Sequence, residues 1–84
     1  MPWYVYMLRC GDNTLYTGVT DNIPRRLAAH RAGKGAKYTR GRGPLELVYQ
    51  EKLPDKSAAL RREIEIKRLS KPEKERLIKS QNVT

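Results

Sequence analysis

Two segments rich in β-branched, aromatic and aliphatic residues lie within the first twenty positions, separated by the turn-forming run Gly11-Asp12-Asn13. Residues 3–10 and 15–20 therefore read as a β-hairpin. Its loop length fixes which side chains share a face, because directly opposed residues of an antiparallel pair point the same way. A two-residue loop at Asp12-Asn13 pairs Tyr6 with Val19 and sends Tyr6 and Tyr16 to opposite faces. A three-residue loop at Gly11-Asp12-Asn13 pairs Tyr6 with Gly18 and Leu8 with Tyr16, making the two tyrosines diagonal neighbours. Asn13 tolerates the left-handed conformation that such a loop needs at its last position. If both phenols serve one site, the loop has three residues.

Helical signals follow. Asp21 or Asn22 can cap a first helix with Pro24 in its first turn, running to about Gly33. Residues 34–43 hold three glycines and several basic residues and read as a mobile basic loop. Residues 45–53 read as a third strand. Asp55 caps a second helix over about 56–69, and Ser70-Lys71-Pro72-Glu73 matches a capping box that starts a third, to about Ser80. The tail, residues 81–84, reads as frayed. The mixture of strands and helices is of the α/β (α+β) class, and 84 residues with no repeat or linker imply one domain, 1–84.

Bulk properties exclude several classes. The apolar stretches are a few residues long, too short to cross a bilayer, and no basic leader with an apolar segment opens the chain. The lone Cys10 cannot form an internal disulfide, so the expectation is a reduced thiol in a cytoplasmic protein. The net charge is +9. Between Asp21 and Glu46 there is no acidic residue, whereas Arg25, Arg26, Arg31, Lys34, Lys37, Arg40 and Arg42 fall there. That one-signed segment suits a polyanion. From Lys52 onward ten basic residues meet five acidic ones, which reads as ordinary solvated helix surface.

Helix geometry separates neighbouring charges. At 100° per residue, Ile23, Leu27 and His30 share an arc of about 60°, which Arg26 borders and Arg25 opposes. Arg26 is thus placed at the edge of a cleft with His30 one turn on, and Arg25 reads as a solvated charge or phosphate contact. The same projection isolates Glu63, with Leu60 and Ile64 on one side and Ala59 and Ile66 on the other. A carboxylate inside an apolar arc is costly unless paired or bound to a metal. A salt bridge to Arg62 or Lys67 would account for it; a basic cleft nearby favours the metal.

Five tyrosines and no phenylalanine could be amphipathic core residues of a half-buried sheet. Tyr4 reads that way, Tyr49 suits either core or cleft, and Tyr38, in the basic loop, suits stacking on a nucleic acid. One His and one Cys exclude most zinc and thiol sites.

Taken together, Tyr4-Val5-Tyr6 and Tyr16-Thr17-Gly18, with Arg26 and Glu63 in order, resemble the GIY-YIG nuclease superfamily. The likeness extends to Lys34-Gly35-Ala36-Lys37-Tyr38-Thr39-Arg40 and Ala59-Leu60-Arg61-Arg62-Glu63, which look like the small stand-alone bacterial members, related to structure-specific endonuclease subunits. Many members carry an asparagine about a dozen residues after the glutamate; here that neighbourhood holds Pro72, Glu73 and Glu75. The resemblance implies a small three-stranded antiparallel sheet flanked by about three helices. It further implies hydrolysis of DNA phosphodiesters at branched, flapped or single-stranded sites, with Glu63 holding Mg²⁺ or Mn²⁺. Tyr6 would take or relay the proton of the attacking water, Tyr16 would position that water, and Arg26 would bind the phosphate. His30 either assists proton transfer or packs. Arg25, Lys34, Lys37, Tyr38, Arg40 and Arg42 would hold the nucleic acid. The rival readings are a non-catalytic nucleic-acid-binding module and an accessory subunit that needs a protein partner.

Overall fold

A computed structural model describes residues 1–35, 39 and 41–82, the last by its backbone alone. The elements run β1 (Trp3–Arg9), β2 (Leu15–Thr20), α1 (Ile23–Arg31), β3 (Glu46–Leu53), α2 (Lys56–Lys67) and α3 (Lys71–Asn82). The three strands form one antiparallel sheet in the order β2-β1-β3.

The hairpin has the odd-length loop. Tyr6 opposes Gly18 and Leu8 opposes Tyr16. Cys10 donates its N–H to the Thr14 carbonyl at 2.9 Å, Asn13 donates back to Cys10 at 2.9 Å, and Asn13 takes φ 68°. An asparagine tolerates that left-handed geometry better than most residues.

Helix ends follow their local chemistry. Asn22, not Asp21, caps α1, its side chain accepting from the Arg25 N–H at 3.0 Å. The helix stops two residues before the expected Gly33. Gly33, at φ 76°, lets its own N–H reach the His30 carbonyl and the Lys34 N–H reach that of Ala29. This paired closure satisfies carbonyls that the last turn would otherwise leave open. Asp55 caps α2 through the Ala58 N–H at 2.8 Å. Ser70 and Glu73 close the reciprocal box at the start of α3, at 3.0 and 3.3 Å.

The sheet separates two cores. Tyr6, Leu8 and Cys10 of the β1 segment pack with Ile23 and Leu45 under α1, joined by Tyr4, Tyr16, Leu27 and Leu47. Val5 and Met7 face the other way, against Tyr49, Ala59, Ile66 and Ile78, so α2 and α3 cover that face. Covered on both sides, β1 is buried without interruption from Val5 to Leu8. The register of β3 slips by one residue between Met7 and Leu8, which pair with Tyr49 and Leu47. That bulge keeps Leu47 on the α1 face and Tyr49 on the α2 face. Tyr49 therefore belongs to the core, and its hydroxyl donates to Glu51 at 2.6 Å. Arg62 donates to the same carboxylate at 3.0 Å and ties α2 to β3. Arg9 and Glu75 clamp α3 to β1 with two bonds of 2.8 and 2.7 Å. Such a half-buried bidentate pair is worth about 1 kcal/mol.

One sequence expectation needs correcting. Leu60 and Ile64 do not join a buried arc around Glu63; they are 39% and 51% exposed. A three-stranded sheet is narrow, and α2 rests on it along the stripe through Ala59 and Ile66. Glu63 lies about 50° from the middle of that stripe, at its border rather than in its interior.

Candidate active site

β1, β2 and α1 bring four of the sequence-selected side chains together. Tyr6 lies at the centre of the sheet's α1 face, 2% exposed, with Tyr16 diagonal to it on β2. The two rings are 6.3 Å apart, and His30 meets both edge-on, at 5.9 and 5.3 Å. Gly18 is what admits the phenols, since a Cβ there would come within 2.7 Å of the Tyr6 hydroxyl and 3.0 Å of the Tyr16 ring.

A hydrogen-bonded row runs through this cluster. The Arg26 Nε–H donates to the Tyr6 hydroxyl at 3.4 Å. That oxygen lies 2.8 Å from His30 Nε2, and His30 Nδ1 lies 2.9 Å from Thr39 Oγ1. In the tautomer that carries its proton on Nδ1, facing Thr39, His30 accepts the Tyr6 proton at Nε2.

Burial and charge set the protonation states. Burial pushes the Tyr6 phenol up to about 12, although the hydrogen bond from Arg26 works in the opposite direction. Burial, helped by the Arg26 charge, holds the His30 imidazole below its ordinary value, so it is neutral at pH 7. A raised phenol has a definite consequence for stability. The folded state keeps the Tyr6 proton up to about pH 12, the unfolded chain only to about pH 10. Its contribution is therefore complete below about pH 10 and is lost as pH rises toward 12. Thermal denaturation between pH 9 and 11 is expected to show a steeper loss of Tm for the wild type than for Tyr6→Phe; parallel slopes would exclude the buried phenol as the cause.

Glu63 is placed differently. It stands on α2, on the other face of the sheet, with an 18% exposed side chain and an ion pair to Lys67 at 3.4 Å. α2 nevertheless borders the open edge of β2, and Lys67 lines one cavity together with Tyr16 and Thr17. The carboxylate is thus one side chain removed from the phenols, around the sheet edge. Among the described residues no three His, Cys, Asp or Glu side chains gather into a metal-binding cluster. Glu75, near where the resemblance leads one to expect an asparagine, is committed to Arg9.

The sequence-selected nucleic-acid contacts divide. Arg25 is exposed and pairs with Asp21 at 3.4 Å, beside a cavity it shares with Arg26. Lys34 is exposed. Arg42 pairs with Asp12 at 2.5 Å, tying its segment to the hairpin turn. Lys37, Tyr38 and Arg40 lie outside the described residues. Sequence reasoning missed the contacts of Thr39 and Gly35 with His30. A Cβ on Gly35 would collide with the His30 ring, so the chain leaving α1 folds back onto the imidazole. No spacing rule announces that return, which is set by the closure at Gly33.

A family model described as the GIY-YIG catalytic domain matches residues 2–76. The chain is 63% identical over 75 residues to a UPF0213 protein of Natronomonas pharaonis, covering 89% of this chain and 88% of that one. It is 55% identical over 78 residues to a UPF0213 protein of Oceanobacillus iheyensis, covering 93% and 91%. The solution NMR structure of a UPF0213 protein from Bacillus halodurans shares 51% identity and superposes with a TM-score of 0.61, over 94% of this chain and 84% of that one.

Proposed function

This chain belongs to the GIY-YIG nuclease family, and on that premise we propose that it is a divalent-metal-dependent endonuclease that hydrolyses DNA phosphodiesters, directed by DNA shape rather than by sequence. The observation that carries this reading is the row Arg26–Tyr6–His30–Thr39 laid beside Tyr16.

The half-buried Glu63 carboxylate fits Mg²⁺ or Mn²⁺, hard cations that keep several waters and take one or two carboxylates together with substrate phosphate oxygens. When bound, such an ion stabilises charge on the transferring phosphoryl group and the leaving oxygen. Lys67 pairs with the carboxylate at 3.4 Å in the free protein.

The proton steps belong to the α1 face. Tyr16, half-buried, positions the attacking water. A phenol with a pKa of about 12 is a poor terminal base at neutral pH, so Tyr6 serves as relay. It accepts the water proton while passing its own to His30 Nε2, and neutral His30 is the acceptor. Thr39 receives the Nδ1–H and fixes that tautomer. Arg26 donates its Nε–H to Tyr6 and also bonds Tyr16, and its planar fork is suited to a phosphate oxygen brought against the phenols. The row has acid, base and anion-binding parts in contact, which a purely architectural nucleic-acid-binding face does not need.

The test is a panel of end-labelled duplex, flapped, branched and single-stranded DNAs, with RNA counterparts, incubated with Mg²⁺, with Mn²⁺ and with chelator. Cleavage near a junction that requires the ion is expected. Binding without cleavage under every condition would leave the fold as a non-catalytic binding module.

A further inference from the structure

β2, α2 and α3 meet at an open cavity of about 420 Å³ beside Tyr16, lined by Leu15, Tyr16, Thr17, Lys67 and Lys74. Lys74 is half-buried there, and among the described residues no carboxylate of α2 or α3 is paired with it. Glu63 pairs with Lys67, Glu65 with Arg62 and Glu75 with Arg9, while Glu73 closes the cap at Ser70. Two ammonium groups thus share one cavity with a single carboxylate at its margin. Removing an ammonium partly from water without a counter-ion is unfavourable, and the wall holds a second unmet polar group. Thr17 is 3% exposed, and its Oγ1 is the only buried side-chain oxygen or nitrogen among the described residues without a hydrogen-bond partner.

We propose that this cavity is a phosphate subsite in which Lys74, with Lys67, holds a phosphodiester of the substrate strand next to the one attacked at Tyr16. The proposal rests on the nuclease reading for its substrate. It adds a contact from α3, outside the basic segment between Asp21 and Glu46. Lys67 bridges the subsite to Glu63, so one side chain touches both the anion and the carboxylate that fits the metal. Lys74 is a positioning residue: it sets where the strand lies and takes no part in proton transfer.

The experiment uses the full chain and a fluorescent flapped DNA in chelator, so that binding is read without cleavage. Anisotropy titrations over a range of salt compare the wild type with Lys74→Gln and with Lys79→Gln, an exposed lysine on the same helix outside the cavity. Lys74→Gln is expected to weaken binding about 3–10-fold at low salt and to reduce the slope of log K against log salt by about one. Lys79→Gln should change neither by as much. A methylphosphonate placed at each phosphate in turn should weaken the wild type at one position where Lys74→Gln is insensitive. Lys74→Gln matching Lys79→Gln, or keeping the wild-type methylphosphonate profile, overturns the subsite. A wild type that binds but never cleaves defeats the nuclease reading while this test still stands; one that binds no DNA defeats both.

Discussion

Arg26→Ala is expected to slow DNA cleavage by about 10²–10³-fold, the usual loss when one preorganised donor to a developing oxyanion is removed. The side chain is only partly buried, and its bonds are to the Tyr6 and Tyr16 phenols rather than to the backbone or an ion-pair partner, so the fold should persist with Tm within a few degrees of wild type. Arg26→Lys should not restore the rate, because a lysine cannot donate to Tyr6 and a phosphate in the fixed fork that a guanidinium offers. The same variant has a second readout. His30 is the only histidine in the chain, so its imidazole resonances can be assigned without ambiguity. Arg26 is the lesser of two influences holding its pKa down, burial being the larger. Losing Arg26 should raise the pKa while leaving it below that of an exposed imidazole. The sign for stability follows: the fold favours the neutral ring, so this contribution is present above about pH 6.5 and is lost as pH falls through the folded-state value. An unchanged cleavage rate in Arg26→Ala would remove the anion-binding role.

Glu63→Gln should abolish ion-dependent cleavage and barely alter stability. The amide keeps the size and hydrogen-bonding reach of the carboxylate and loses the negative charge that a hard divalent cation requires. The structural alternative is the ion pair to Lys67, and magnitudes separate the two. A helix pair four residues apart with a 55% exposed lysine is worth about 0.3–0.5 kcal/mol, a change in Tm of a few degrees at most for a domain of this size. A drop to background cleavage with Tm nearly intact therefore identifies a chemical role. A large loss of Tm together with residual cleavage would make Glu63 a structural residue and require another ligand for the ion.

Legibility differed between local and returning parts of the chain. The caps at Asp55 and Ser70 follow from short-range rules. The choice of Asn22 over Asp21 and of the odd over the even hairpin loop, and with it the shared face of Tyr6 and Tyr16, is settled only by the structure. The bulge at Met7–Leu8 is not local either, since its cause is the need to seat Leu47 and Tyr49 in opposite cores at once. Helix projection correctly separated Glu63 from Glu65, yet it overstated the apolar arc. A projection has no knowledge of how wide the sheet beneath is, and Leu60 and Ile64 fall beyond the edge of this one. Gly35 and Thr39 stood in the stretch that resembles the family, but their contacts with His30 were not legible, because a loop that doubles back on a side chain leaves no periodic trace. Charge counting likewise treated the C-terminal lysines as a solvated surface, whereas the packing of α3 sets Lys74 beside Tyr16.

Hairpin tips are ordinarily where a protein absorbs insertions and deletions with least harm. The Gly11-Asp12-Asn13 tip does not have that freedom. Deleting one residue there would leave both strands able to pair, keep Tyr6, Tyr16, Arg26, His30 and Glu63 in the sequence, and rotate Tyr16 onto the face occupied by α2. Relatives that retain the site should therefore differ in length at this tip by even numbers, or carry a bulge that restores the count. A drift of one residue, invisible to any inventory of functional side chains, would be enough to part Tyr16 from Tyr6 while leaving the strands paired.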